Sequence, residues 1–249
     1  MALFAADEVT YPPLDRPKPV ADGVWIVDSG PVRVSGLPLP VRMTVLKLAG
    51  GELMLHSPTR FEPGLKRELE ALGPIRHLVA PNVAHWTFLK EWQERCPEAT
   101  TWAAPHLRER AQVKASGVRL DRDLPPESPP EWAQEIEQAV VPGAAGFREV
   151  AFFHRPSGTL VLTDLVVNLE PGKLSLPARA LAWATGALAP EGRAPVYLRL
   201  VVRRRAAAAR EAAHRLVALE PERVIFAHGR WFERDGAAQL RRSFVWLLR

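Results

Sequence analysis

The chain has 249 residues, 47% apolar and 24% charged, an ordinary globular composition for which a single domain over 1–249 is expected. Its lone cysteine, Cys96, excludes an internal disulfide. No apolar run has transmembrane length, and the opening Met-Ala-Leu-Phe-Ala-Ala-Asp-Glu lacks the basic region and long apolar core of a signal peptide, so a soluble cytoplasmic protein with no membrane partner is expected.

The first third reads as strands over 24–28, 42–48 and 52–56, the last two joined by a hairpin turn at Ala49-Gly50-Gly51. A helix over 63–72 follows, with Pro63 at its start and Gly73 as its stop. Strand 75–80, helix 85–95 and strand 100–103 alternate as in α/β layers. Residues 117–130, rich in Pro, Asp and Arg, read as a surface loop that could border a site. Strands resume over 135–141, 149–154 and 159–163. Helices over 176–188 and 203–219, a strand over 223–227 and a helix over 236–248 complete the chain. Two halves of strands and helices without sustained βαβ alternation predict two mixed sheets packed face to face with helices outside, an α/β/β/α sandwich.

The charge of +5 and pI near 9.8 rest on arginine and raise the question of an anionic partner. Arg203, Arg204, Arg205 and Arg210 lie in an Ala-rich helical run without interleaved aromatics, which suits a solvated face, and nucleic acid is not an expected partner. Cys96 shares a helical face with Trp92 and is assigned to packing, as are Trp183, Trp231 and Trp246 as core or edge fillers.

Two apolar strands end in potential metal ligands, Asp164 after 160–163 and His228 after 224–227, which places both on one rim of one sheet. His85 follows strand 75–80 and opens an amphipathic segment with Phe88, Leu89 and Trp92. Two imidazoles and a carboxylate could form a metal cup. They could also be caps or hydrogen-bond partners, and spacing alone favours that plainer role. His56, His77, His106, His154 and His214 are read as structural or surface residues. No Gly-x-Ser-x-Gly elbow, phosphate loop or dinucleotide fingerprint occurs.

Several phrases, in order, carry a family resemblance: Lys18-Pro19-Val20-Ala21-Asp22-Gly23-Val24-Trp25, Leu55-His56-Ser57-Pro58, Ala80-Pro81-Asn82-Val83-Ala84-His85 and Thr159-Leu160-Val161-Leu162-Thr163-Asp164. Over nearly its whole length the chain resembles the metallo-β-lactamase-like hydrolase superfamily, closest to an uncharacterised branch of unknown function. Where active members carry His-x-His-x-Asp-His, this chain has 80–85 with only His85 kept. Where they carry Thr-Pro-Gly-His, it has Val141-Pro142-Gly143-Ala144. The resemblance implies that one of two metal sites, at Ala80, Asn82 and Ala144, is lost. Of the other, the aspartate is replaced by Ala84 while His85, Asp164 and His228 remain.

Three ligands plus water make a workable catalytic zinc shell; zinc is the default, and the same donors suit iron. Such an ion lowers the pKa of bound water to about 7 and polarises a carbonyl or phosphoryl oxygen. Asn82 could offer its amide oxygen, though a turn or helix-start cap is its plainer role. The resulting expectation is a mononuclear metal-dependent hydrolase acting on an ester, thioester, amide or phosphodiester, with a small-molecule substrate. The alternative is a metal-free binding module for a small molecule or a protein. β-Lactam hydrolysis is not implied, because it belongs to members with fuller metal shells.

Overall fold

The computed structural model describes residues 9–34 and 37–249; the segment 1–8, read above for a signal peptide, lies outside the described residues. A seven-stranded sheet runs in chain order through β1 (Lys18–Ala21), β2 (Val24–Val34), β3 (Leu37–Lys47), β4 (Leu53–His56), β5 (Ile75–Ala80), β6 (Thr100–Ala103) and β7 (Arg122–Asp123). Its first four strands form an antiparallel meander, and β4 to β7 are parallel. Parallel neighbours need crossovers, and α1 (Pro63–Glu70), α2 (Leu89–Arg95) and α3 (Ala111–Ser116) supply them.

The second sheet holds β8 (Ile136–Pro142), β9 (Arg148–His154) and β10 (Thr159–Val161) in antiparallel order. Beyond β10, two short parallel strands form between β11 (Val167–Asn168) and β13 (His228–Gly229), while β12 (Arg223–Ile225) pairs parallel with β10. Helices α4 (Leu176–Thr185), α5 (Val196–Arg203), α6 (Ala206–Ala218), α7 (Gly236–Ser243) and α8 (Val245–Leu248) complete the chain.

Alternation along the strands builds the four layers. Val24, Ile26, Met54, Val79, Phe152, Val161 and Ile225 point between the two sheets and form one core. Their neighbours Val27, Leu53, Leu55 and Leu78 face outward onto Leu65, Leu69 and Trp92 of α1 and α2. On the far side Phe153, Leu160, Val224 and Phe226 face outward onto Leu198, Val202, Leu216 and Leu240 of α5 to α7. Both sheet faces are thus apolar, and the predicted α/β/β/α sandwich is the observed one.

Several local expectations are corrected. Helix α2 starts at Leu89, four residues after His85, because Asn82 Oδ1 accepts the N–H groups of Ala84 (2.8 Å) and His85 (3.1 Å) and holds that stretch as a turn. The helix expected over 203–219 is α6, preceded by a separate α5. The valines of α5 are poor helix formers alone, and burial of Leu198 and Val202 decides its conformation. The last helix breaks at Phe244, and the 117–130 loop contributes β7. Trp183 is no filler: it is 75% exposed. Among the described residues no helix is long and apolar enough to cross a membrane.

Candidate metal centre

His85, Asp164 and His228 converge at one end of the sandwich, and one ligand atom from each lies within 4.8 Å of the others. Asp164 Oδ1 is 3.3 Å from His85 Nε2 and 3.2 Å from His228 Nε2. All three side chains are largely shielded, with exposures of 11%, 21% and 7% in chain order.

Each comes from a different connection. Asp164 lies three residues beyond β10, where Leu162 N–H still bonds Ile225 O at 2.8 Å and the chain then turns away. His228 sits on β13, three residues beyond β12, opposite Val167. Gly229 next to it has φ +93, and an added Cβ would lie 2.1 Å from Asn168 O, so only glycine lets β13 close on β11. His85 lies in the turn between β5 and α2, with Nδ1 2.6 Å from Ser57 Oγ at the end of β4.

The ring of His228 has a defined tautomer. Its Nδ1 is 2.8 Å from Pro40 O, and a carbonyl only accepts, so Nδ1 carries the hydrogen. Nε2 then faces the Asp164 carboxylate at 3.2 Å, a contact that calls for a proton or a metal cation between the two atoms. The two imidazoles, with ring centres 5.3 Å apart, and one carboxylate oxygen are a fitting donor set for a divalent ion. Desolvation pushes the Asp164 carboxyl up, but the charge and hydrogen bonds of His85 and His228 hold it well below the usual carboxylate range. Burial likewise works against a charged His85, and the Asp164 charge outweighs it, so its pKa is raised.

Behind the three side chains lies a polar network that sequence reasoning missed. Glu149, fully buried at the start of β9, accepts N–H groups from Thr163 (2.7 Å), Asp164 (2.9 Å) and Leu165 (3.2 Å). Burial first, and then the Asp164 charge, raise its pKa. Asn82 donates from Nδ2 to Asp164 Oδ2 at 2.8 Å and to Thr163 Oγ1 at 2.9 Å. Its oxygen is occupied by the Ala84 and His85 amides, so the turn-cap role holds and no oxygen is left to act as a ligand. Arg42, buried on β3, pairs with Asp28 at 2.6 Å and donates to Phe226 O (3.0 Å) and Gly229 O (2.8 Å), tying the His228 strand to the first sheet. An acid inside Glu149-Val150-Ala151-Phe152-Phe153 is the one signal that could have revealed Glu149, since charged residues rarely sit in buried strands.

Two cavities meet at this point. One of about 410 Å³ is lined by Arg42, Ser57, Ala84, His85 and Phe88; the other, of about 280 Å³, by Leu169, Leu174, Ala178, Leu181 and Ala187. Asp164, Tyr197, His228, Val34 and Leu39 line both. Burial and then the Asp164 charge raise the Tyr197 phenol, which stays a hydroxyl donor. The 117–130 loop, expected to border the site, lines neither cavity.

The remaining histidines are not members of this group. His56 is buried against Phe152, and His77 accepts from the Trp102 indole at 3.2 Å. His154 Nδ1 meets Ser157 Oγ at the β9–β10 hairpin, His106 pairs with Glu109 at 2.8 Å, and His214 is exposed on α6. Ala80 is fully buried in the core beneath α2, and Ala144 donates its N–H to Val201 O at 2.9 Å. Neither alanine offers a side-chain donor for a second ion. Cys96 is buried in the α2 core, as its packing role required.

Fold and site define the class: the chain has the metallo-β-lactamase fold with a three-residue group that could hold a metal ion. A metallo-beta-lactamase from Pontibacter korlensis superposes with a TM-score of 0.59 at 14% identity, covering 93% of this chain and 98% of that one. DIM-1 metallo-beta-lactamase exposed to ceftazidime gives 0.63 at 16% identity, covering 93% and 95%. FIM-1 from Pseudomonas aeruginosa in its mono-zinc form gives 0.60 at 15% identity, covering 93% of each chain. More narrowly, residues 21–181 match the model of the domain of unknown function DUF4336, and the chain belongs to that family. No curated protein sequence matches it.

Proposed function

We propose that the protein is a mononuclear metal-dependent hydrolase whose ion is held by His85, Asp164 and His228, with zinc as the default and iron equally suited to the donors. The observation that carries this reading is the His228 ring: with Nδ1–H fixed on Pro40 O, its Nε2 is aimed at a carboxylate oxygen 3.2 Å away, the same oxygen that His85 Nε2 faces. The fold neighbour FIM-1 is described in a mono-zinc form, which supports a one-ion reading.

A divalent ion bound there would supply a polarising charge for a carbonyl or phosphoryl oxygen and would acidify water. The chain's own residues do the rest. Pro40 and Ser57 orient the two imidazoles, and Glu149 and Asn82 orient Asp164. Tyr197 offers a hydroxyl proton where the two cavities join. The aliphatic walls of the smaller cavity suit an apolar substituent on an ester, thioester, amide or phosphodiester, and exclude water from that side of the reacting bond.

A second reading rests on the same contact. Protonation of His228 Nε2 would turn the cluster into a hydrogen-bonded imidazolium–carboxylate pair beneath a binding pocket, and the protein would then be a metal-free binding module for a small molecule or protein.

Elemental mass spectrometry on the wild type and on Asp164→Ala, after dialysis against a mild chelator and repletion with zinc or iron, separates the two. The hydrolase reading expects about one ion per chain, lost in the variant. No ion in either protein would discard it in favour of the binding module.

A further inference from the structure

Away from the metal centre, a cavity of about 570 Å³ is lined by Arg193, Arg199, Arg203, Arg210 and Arg249 together with Trp246. Of these five arginines, Arg193 pairs with the carboxylate of the exposed Glu191 at 3.2 Å. Arg199 donates from Nη2 to Thr185 O at 3.1 Å, Arg210 bonds the main-chain oxygen of Arg249, and Arg203 makes no ion pair among the described residues. The five guanidinium groups therefore outnumber the acidic groups that meet them at this cavity.

Three buried donors on side chains that line this cavity have no acceptor among the described residues: Nε of Arg193, Nε of Arg199 and the indole Nε1 of Trp246. Trp246 itself is 7% exposed. Buried N–H groups are normally paired, and here three unpaired donors belong to side chains that line one cavity. Burial, with Arg193 and Arg203 beside it, also lowers the pKa of Arg199, as crowded like charges do. Guanidinium groups approaching from α5 and from the segment before it suit a multi-oxygen dianion better than a planar carboxylate, and phosphate presents acceptors in several directions. The cavity is larger than one phosphate, and Val245, Trp246 and Leu247 give it an apolar wall for the rest of a molecule.

We propose that this cavity is a second binding site, distinct from the metal centre, for a small molecule bearing a phosphate or pyrophosphate group, held by Arg193, Arg199 and Arg203. The site stands whether or not the hydrolase reading does.

Isothermal titration of the full chain with inorganic pyrophosphate tests it. Saturable binding of about one ion per chain is expected, weakened about tenfold by Arg203→Gln, the size of one lost charge-assisted hydrogen bond. Arg203 is exposed and unpaired, so this variant should fold; Arg199→Gln removes the Thr185 contact as well and is read only if its thermal melt matches wild type. Arg204→Gln removes the same charge one residue along, outside the cavity lining, and should leave affinity within about twofold. Absence of saturable binding, an equal loss in Arg203→Gln and Arg204→Gln, or binding of a single-stranded oligonucleotide but not of pyrophosphate would each overturn the proposal.

Discussion

Glu149 Oε2 accepts the main-chain N–H of Asp164 at 2.9 Å, so one buried carboxylate fixes the turn that presents the other. In Glu149→Gln the shape is kept, but an amide NH₂ replaces one accepting oxygen and faces main-chain donors. The expected cost is about 1–3 kcal/mol of stability, with metal affinity down about tenfold because the positioning shell is loosened. Urea unfolding and competitive zinc titration measure the two; unchanged values in both would mean the 163–165 turn holds itself.

Arg42 and Asp28 form an ion pair with side-chain exposures of 2% and 3%, and Arg42 also ties down the carbonyls of Phe226 and Gly229. Arg42→Met strands Asp28 with Lys18 as its remaining cationic partner and frees the His228 strand. A loss of about 3–5 kcal/mol is expected, as for other broken buried pairs. The double variant Arg42→Met with Asp28→Leu should recover much of it in denaturant titration, and failure to recover would assign the cost to the two carbonyl contacts.

Ser57 has φ 57, a left-handed backbone that costs a serine energy, while its Oγ sits 2.6 Å from His85 Nδ1. Strain at this position is held next to a proposed ligand. Ser57→Gly relaxes the backbone and releases the ring, so stability should move by less than about 1 kcal/mol while zinc affinity falls about tenfold. Equal affinity in the two proteins would show that Ser57 does not orient His85.

His56 is buried and neutral, its pKa lowered to about 3 by burial and then by His85, against an ordinary value of 6.5. Below pH 6.5 the unfolded chain gains a proton here that the fold refuses until about pH 3, so this contribution is complete above pH 6.5 and lost as pH falls through that window. Replacing it in His56→Met should flatten the stability profile between pH 6 and pH 4 by up to about 1.4 kcal/mol per pH unit, the slope of one proton. Chemical unfolding at a series of pH values reads this directly, and identical slopes for the two proteins would sink the assignment. His77 and His154, also lowered by burial, supply part of the residual slope.

The sequence alone determined the layers and nominated the three side chains that converge. Short apolar runs within 75–80, 149–154 and 159–163 mark strands with two buried faces, and the chain emerging from such strands places Asp164 and His228 at one end. Local chemistry also carried the hairpin at Gly50 and the start of α1 at Pro63. Only tertiary structure decided the rest. Glu149 acts through partners 14 to 16 residues away, and Arg42 joins Asp28 to carbonyls 184 and 187 residues away; no local pattern encodes such contacts. The same holds for the tautomer of His228, set by a carbonyl 188 residues distant, and for α5, whose valines become helical because Leu198 and Val202 find a core to fill. Sequence periodicity reports which face of an element is apolar; which polar group meets which across the sandwich is settled when the two sheets pack.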